Sequence, residues 1–250
     1  MTIPTYLPYF VFAATAATVI AILYGLNRSL AEAKWQAADR TRTFRASAVI
    51  LLGWLAMAIA LSAMGAYHVT FGDIPTIQYG ILLPILVGAL LIWGSETARR
   101  IIAAVPQQRL VGVQLYRALG VIFLILYVTG KLPGQLAWPA GVGDIAIGLS
   151  APFVGLAYAR SPRKATGLVA AWNAFGILDL IVAVGTGFMT APSRFLFLDV
   201  QPTSELITVL PMVLIPVYLV PLSIVLHLAS LAKLRREASE GHGRIASARA

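Results

Sequence analysis

Cysteine is absent from the 250-residue sequence, and histidine occurs only three times. The lack of thiols excludes disulfides, thiolate metal sites and cysteine nucleophiles. His68 falls in a polar loop, His227 within an apolar stretch and His242 in the polar C-terminal tail, so one subunit is not expected to bring together the two histidines of a haem or the three of a zinc site. We therefore predict no cofactor and no metal.

The usual catalytic signatures are also missing. The sequence contains no HExxH, no GxSxG and no Walker-type phosphate-binding loop, which removes support for the common hydrolase and nucleotide-binding mechanisms. The closely spaced acidic pairs that metal-dependent membrane transferases need are absent as well. Whether the chain is an enzyme stays open, and the sequence favours that it is not.

Charge is scarce and unevenly placed. Only 12% of the residues are charged and 59% are hydrophobic, whereas roughly 25% of an ordinary soluble domain is charged. The charged residues form short clusters between apolar stretches of about 20 residues, the length that crosses a hydrocarbon core roughly 30 Å thick. We therefore predict an all-α fold, a polytopic bundle of seven transmembrane helices.

Seven apolar stretches mark the predicted spans. They are Leu7–Leu26, Ala46–Ala66, Tyr79–Gly94, Val111–Gly130, Pro139–Tyr158, Gly167–Phe188 and Leu206–Leu231. Residues 1–234 are predicted to form a single membrane domain, and residues 235–250 a basic, disordered cytosolic tail. No basic region precedes the first stretch, so we interpret it as a retained span and not as a signal peptide.

Lysine and arginine occupy alternate loops. Sixteen of the nineteen fall in one alternate set of predicted loops and in the C-terminal tail, whereas only Lys131 and Arg194 fall in the other set. Because loop Lys and Arg are retained on the cytoplasmic face, we predict that the N-terminus lies outside and the C-terminus in the cytosol. We expect the inner (plasma) membrane of a bacterium, since arginine greatly outnumbers lysine, as in GC-rich genomes.

The net charge of +9 is explained by these cytosolic loops, so we predict no nucleic-acid partner. The predicted partners are the lipid bilayer, anionic lipid headgroups at the cytosolic loops, and a small solute or a proton. Ser29 to Glu32 has the spacing of a capping box. Residues 30–45 are therefore expected to form either a short helix on the membrane surface or a solvated loop.

A few polar side chains lie inside the predicted spans, where a charge costs at least about 2.5–3.5 kcal/mol near mid-bilayer. They are Gln114, Arg117, Asp144, Asn173, Asp179, Ser223 and His227. With the fifth span starting at Pro139, Asp144 and Asp179 share the outer half of the membrane on antiparallel helices. Facing each other, they would form a proton or cation site, with Gly143, Gly148 and Gly176 allowing close approach. Alternatively, Asp144 caps the start of its helix.

Arg117, Asn173 and His227 are expected in the cytosolic half and complete the candidate ion- or substrate-binding residues. Arg117 is predicted either to extend along its own aliphatic stem to the surface or to form a buried ion pair. For His227 a hydrogen-bonded position near the end of the last helix is favoured over a proton relay.

Three prolines in the last span, Pro211, Pro216 and Pro221, are spaced five residues apart. Each removes a backbone donor and frees a carbonyl one turn earlier. We predict a kinked helix, which either lines a binding site as a gate or is merely bent.

The layout of seven spans with an outside N-terminus resembles that of the microbial rhodopsins, which bind retinal through a lysine in the seventh span. Residues 206–231 contain no lysine, and residues 79–94 contain no aspartate counter-ion. The resemblance is therefore one of topology only.

Our leading hypothesis is a proton- or cation-coupled small-solute transporter or permease-like protein. Asp144 and Asp179 would form its protonatable pair and the proline-rich helix its moving wall. The alternative is a non-transporting sensor or an assembly partner within a larger membrane complex, with residues 190–205 as its ligand surface. A membrane-embedded enzyme ranks third, and seven-helix bundles as a class do not decide among the three.

Overall fold

The computed structural model describes residues 3–247, with side chains described through residue 239, and all regular secondary structure in that range is helical. The main helices are α1 (Leu7–Glu32), α2 (Ala37–Ala63), α3 (Ile77–Gly94), α4 (Glu96–Ala104), α5 (Gln107–Val128), α6 (Gly134–Arg160), α7 (Pro162–Thr190) and α8 (Val220–Ser247). A 3-10 turn (Ser204–Thr208) and a π-helical turn (Ile215–Leu219) precede α8.

Seven helical segments are long and apolar enough to cross a membrane. They are α1, α2, α3, α5, α6, α7 and the last segment, Ile215–Ser239. The all-helical fold class and the number of long apolar helices predicted from the sequence are thereby confirmed.

The last of these segments lies at the centre of the bundle. In the most apolar stretch of this segment 67% of the residues are buried, whereas in that of α2 only 6% are buried. It packs against α3, α5 and α7, while α6 lies between α5 and α7. Gly88 of α3 allows a close contact, because a Cβ atom there would overlap the side chain of Val225. The helices α1 and α2 lie on the outside of this core.

The connection between α1 and α2 differs from the predicted surface helix over residues 30–45. The first helix continues to Glu32, and the second begins at Ala37. Ser29 does not cap a new helix, since its hydroxyl donates to the carbonyl of Gly25 one turn earlier within α1. The break between the helices is short and includes Lys34, whose φ of 57° reverses the chain direction.

The first part of the last predicted span, which contains Pro211, is not a kinked helix as the sequence suggests. The chain between Thr208 and Ile215 is irregular, so the predicted helical start at Leu206 is wrong. Pro216 lies in the π-helical turn, and Pro221 is the second residue of α8, which follows that turn without a break. Pro211 lies in the irregular segment, so its ring and its missing N–H group do not interrupt a helix.

The C-terminal residues also differ from the prediction. The eighth helix continues through Ser247, whereas disorder is predicted from residue 235. A hydrogen bond from Tyr158 of α6 to Glu237 at 2.5 Å holds the start of the extended part against the bundle, and Glu237 also pairs with Lys233 of the same helix at 3.6 Å. Residues 248–250 of the predicted tail lie outside the described residues.

The two ends of the bundle are distinguished by their loop contacts. At one end, which we call the acidic end, Nε2 of His68 lies 3.2 Å from Oε1 of Glu205, and the backbone N–H of Arg194 donates to the backbone carbonyl of Asp73. At the other, which we call the basic end, Arg109 bonds to Glu32 at 2.7 Å. Two large apolar cores occupy the regions toward these ends, and a layer of buried polar side chains lies between them.

Candidate functional site

The polar layer is built around Arg117, which lies on an unusual part of α5. Residues Val113–Gly120 form a 3-10 helix of eight residues, although 3-10 stretches longer than three or four residues are uncommon. Three residues per turn place Gln114, Arg117 and Gly120 in line on one face, and all three are buried. This local winding therefore points a charged and an amide side chain into the bundle together.

Arg117 connects the two aspartates. Its Nε donates to Oδ1 of Asp144 on α6 at 2.7 Å, and its Nη2 pairs with Oδ2 of Asp179 on α7. The side chain of Arg117 is 2% exposed, and those of Asp144 and Asp179 are 15% and 9% exposed. The two carboxylates thus lie on either side of one guanidinium, an arrangement we call the charged triad. Arg117 forms a buried ion pair and does not extend to the surface.

Both carboxylates lie near the middle of their helices. Asp144 is about ten residues from Gly134, the start of α6, which corresponds to ~15 Å, and Asp179 is at a similar distance from Thr190, the end of α7. From the sequence, Asp144 is predicted to lie nearer the surface, because Pro139 is taken as the first residue of its helix. The alternative in which Asp144 caps its helix is wrong, since the first turn ends well before it.

Glycines make room for the triad. A Cβ atom on Gly143 would overlap the carboxylate of Asp179, and one on Gly176 would overlap the ring of His227 and crowd Arg117. Gly148, which the sequence also singles out, instead approaches the backbone of Ala118 on α5. The close approach of α6 to α5 and α7, and of α7 to α8, therefore requires these residues to lack side chains.

A second set of hydrogen bonds runs from the triad toward the basic end. The Nη1 of Arg117 contacts the Gly176 carbonyl at 3.2 Å and Nε2 of His227 at 3.1 Å. His227 Nδ1 lies 2.9 Å from Oδ1 of Asn173, whose amide donates to Ser230 at 2.8 Å. His227 is fully buried far from the end of α8, so the predicted position near a helix terminus is wrong.

This set of bonds ends at Gln107, the first residue of α5. Its amide nitrogen donates to Oγ of Ser230 at 2.6 Å. Its Oε1 is the one buried side-chain polar atom that lacks a hydrogen-bond partner among the side chains that the structure describes. The chain of contacts therefore joins the triad to the basic end of the bundle.

A shorter branch lies beside the triad on α5 and α8. Gln114 donates to the Ser223 carbonyl at 3.0 Å and accepts from its hydroxyl at 3.1 Å. The hydroxyl of Tyr116 lies 2.5 Å from the same hydroxyl oxygen. Ser223 therefore holds the 3-10 segment to the central helix.

The charges of the triad do not balance. With both carboxylates ionised, the single guanidinium leaves one net negative charge inside an apolar bundle, where an uncompensated charge is costly. A proton on one carboxylate or a bound cation would remove that charge. The arrangement therefore has the chemistry of a proton or cation site.

A small cavity of about 40 Å³ adjoins Asp144, Arg117, Tyr116 and Ser223. One water requires about 10–15 Å³ of such volume, so the cavity can hold a few waters or one small ion. The remaining walls are apolar and come from α1, α5, α7 and the π-helical turn with the start of α8. The proline-containing segment thus borders the candidate site.

The sequence singles out seven of the residues in this layer, and the structure brings them together: Gln114, Arg117, Asp144, Asn173, Asp179, Ser223 and His227. Sequence reasoning missed Gln107, Tyr116 and Ser230. The spacing of three between Gln114 and Arg117 is the signal that could have indicated a shared face. Nothing in the sequence marks Ser230, because serine is ordinary in membrane helices.

Comparison with known proteins gives one match, over residues 74–235, to a family described as a domain of unknown function, DUF8737. The matched range covers more than half of the chain and includes the whole charged triad together with Asn173 and His227. No curated protein and no solved structure matches the chain. The chain therefore belongs to the DUF8737 family.

Proposed function

We propose that the chain is an integral membrane protein that couples the movement of a small solute or ion to the binding of a proton or cation at Asp144 and Asp179. Seven long apolar helices support insertion into a bilayer. The alternation of Lys and Arg among the loops supports an outside N-terminus and a cytosolic C-terminus, in the inner (plasma) membrane of a bacterium.

The observation that supports this function is that two carboxylates share one buried guanidinium. Near mid-bilayer the excess negative charge favours uptake of a proton or a small cation. Charging or neutralising one carboxylate changes its attraction to Arg117. Because Asp144 and Asp179 lie on different helices, that change alters the force between α5, α6 and α7.

The lining of the cavity supports a proposal for the moving segment. The cavity beside Asp144 is bordered by Ile215, Leu219 and Val220, which belong to the π-helical turn and the start of α8. Irregular backbone at membrane depth is tolerated where it lines a cavity. We propose that the segment with Pro211, Pro216 and Pro221 acts as the gate, with the cavity closed to larger solutes in this conformation.

The test has two readouts on purified protein. The infrared band of a protonated carboxylic acid is followed during a pH titration of the wild type, Asp144→Asn and Asp179→Asn. Proton flux into liposomes is then measured with an internal pH dye under an imposed potential. We expect a carboxylic acid band that one of the two substitutions removes, and reduced flux in both variants. Unchanged flux in both variants would refute the role of the pair.

A second candidate function is a non-transporting sensor or assembly partner, and the small cavity volume favours it. At about 40 Å³ the cavity has no room for a solute larger than a few waters.

The loop after α7 is also held in place by hydrogen bonds, since Ser204 donates to the Gly187 carbonyl at 2.8 Å and the backbone N–H of Arg194 donates to the Asp73 carbonyl. Thr70 bonds through its hydroxyl and its amide to Asp73 and thereby lowers the pKa of that carboxyl.

This second function makes a different prediction for the same proteins. The protein would co-purify with a stable partner after mild solubilisation, and substitutions in the loop of residues 190–205 would release that partner. Proton flux would then be indistinguishable from that of empty liposomes in the wild type and in both aspartate variants.

A further inference from the structure

A second and much larger cavity, of about 630 Å³, lies near the basic end of the bundle. Its walls come from α1, α2, α4, α5 and α8, so it is separate from the charged triad and on a different side of α8 from α7. Cavities of about 300–1,000 Å³ that are mostly apolar with a few polar groups are typical of ligand sites.

The lining is almost entirely apolar. Leu222, Val225 and Leu226 of α8 form one wall, and α1, α2 and α5 contribute small and aliphatic side chains. Two large apolar side chains at its boundary, Tyr24 and Ile50, are 64% and 62% exposed. The helices therefore face each other across a space that they do not fill, and only an apolar occupant matches such walls.

The polar part of the lining is cationic. Arg109 donates to Oγ of the buried Ser29 at 2.9 Å and to Oε1 of Glu32 at 2.7 Å. Arg28 donates to the same Glu32 oxygen at 3.0 Å. One carboxylate thus holds two guanidiniums side by side, and the group has one net positive charge. It lies at the last turn of α1 and the first turn of α5, toward the end of the cavity nearest the loops.

The short helix α4 closes the same end. Ser95 caps it by accepting from the amide of Ala98 at 3.3 Å. Ile101 and Ile102 line the cavity, while Arg100 lies over the ring of Trp35 at 5.7 Å in the connection between α1 and α2. One face of α4 is therefore apolar and the other basic, as in helices that lie at a membrane interface.

We propose that this cavity binds one anionic phospholipid from the cytosolic leaflet. Its acyl chains lie among the apolar side chains, and its phosphate lies at the guanidiniums of Arg28 and Arg109. The apolar walls require a lipid chain, and the single net positive charge matches the single negative charge of a phosphodiester. The inference rests on the proposed membrane insertion and orientation, but not on transport at the triad.

The test is native mass spectrometry of the purified protein released from detergent micelles. The lipids are phosphatidylglycerol and phosphatidylcholine, and glycerol phosphate serves as the soluble headgroup. We expect one phosphatidylglycerol to be retained per chain, in preference to phosphatidylcholine, and no retention of glycerol phosphate. Arg109→Gln should weaken phosphatidylglycerol retention about fivefold, and Glu32→Gln should strengthen it.

Two glycines in the wall provide variants that fill the cavity without disturbing the fold. A Cβ atom at Gly112 of α5 or at Gly25 of α1 meets no heavy atom within 4 Å. Gly112→Leu and Gly25→Leu should therefore fold normally and lose phosphatidylglycerol. Gly53→Leu is the matched control, because Gly53 is equally unobstructed but does not line the cavity.

Thermal unfolding in detergent is measured for all variants, so that loss of lipid is separated from loss of fold. Equal retention of both lipids, together with wild-type retention in Gly112→Leu and Gly25→Leu, would show only non-specific surrounding lipid and would overturn the proposal. Retention of glycerol phosphate alone would equally contradict it, since the site would then bind a free anion. Neither result would affect the carboxylic acid band or proton flux that test the triad.

Discussion

His227 Nε2 lies 3.1 Å from Nη1 of Arg117. A guanidinium only donates hydrogen bonds, so this ring nitrogen accepts and carries no proton. The other nitrogen, Nδ1, lies 2.9 Å from Oδ1 of Asn173, whose amide nitrogen is already directed at the Val169 carbonyl and Ser230. The neighbours of His227 therefore determine that its ring is neutral and protonated at Nδ1. In this form the ring accepts from Arg117 and helps to hold it between the two carboxylates.

This assignment can be tested directly by solid-state nitrogen NMR of protein labelled at histidine. We expect the signals of His227 to show the Nδ1-protonated neutral tautomer, because Arg117 and Asn173 each permit only that form. The chain has three histidines, so the signals that disappear in His227→Gln identify the residue. A doubly protonated ring at neutral pH would contradict the hydrogen-bond pattern described here.

The contact between Gly143 and Asp179 gives a second prediction. Gly143→Ala places a methyl group in the volume of the Asp179 carboxylate and should displace it from Arg117. We expect the free energy of unfolding to fall by about 1–3 kcal/mol, and proton flux to fall as in Asp179→Asn. Unfolding in mixed micelles and liposome flux are the two measurements.

Gly185→Ala is the matched control for this prediction. Gly185 also lies within a long apolar helix, and a Cβ atom there meets nothing within 4 Å. Removing a helical glycine should then be neutral or stabilise the protein by up to about 1 kcal/mol. Equal effects of the two substitutions would show that Asp179 is not held by the close approach at Gly143.

Much of the fold could be predicted because so apolar a chain leaves few possible arrangements. Apolar stretches of the right length predict all seven long helices, and polar residues within them predict most of the buried layer. Helix ends were less predictable, because helices continue beyond the apolar stretch. Pro139, taken as the start of the fifth span, lies inside α6, and this error moved Asp144 too close to the surface.

The connection between the charged residues could not be predicted from the sequence. A regular α-helix turns 100° per residue, so Gln114, Arg117 and Gly120 would drift around its surface instead of sharing one face. The 3-10 winding that aligns them results from tertiary contacts, including those of Gln114 and Tyr116 with Ser223. Arg117 was therefore recognised as a candidate, but its position between Asp144 and Asp179 was not.

The orientation in the membrane is a third prediction, and the lack of cysteine makes it easy to test. Phe71→Cys and Ser161→Cys each introduce the single thiol of the chain at an exposed position, on opposite ends of the bundle. We expect a membrane-impermeant maleimide to label Phe71→Cys in intact cells. Ser161→Cys should react only after the membrane is opened. The reverse labelling pattern would invert the proposed topology and place the lipid cavity in the outer leaflet.

The charge balance of the triad gives the last prediction. Arg117→Met leaves Asp144 and Asp179 buried beside each other without a cation, and removing one partner of a buried ion pair costs about 3–5 kcal/mol. Adding Asp144→Asn and Asp179→Asn to Arg117→Met removes all three charges, so most of the lost stability should return. Unfolding in mixed micelles measures the stability of each protein. A triple variant that is as unstable as Arg117→Met would show that packing around the arginine stem, and not the unbalanced charge, determines the stability of the polar layer. If the triple variant regains stability but shows no proton flux, the bundle folds without the charges of the triad, and proton flux requires them.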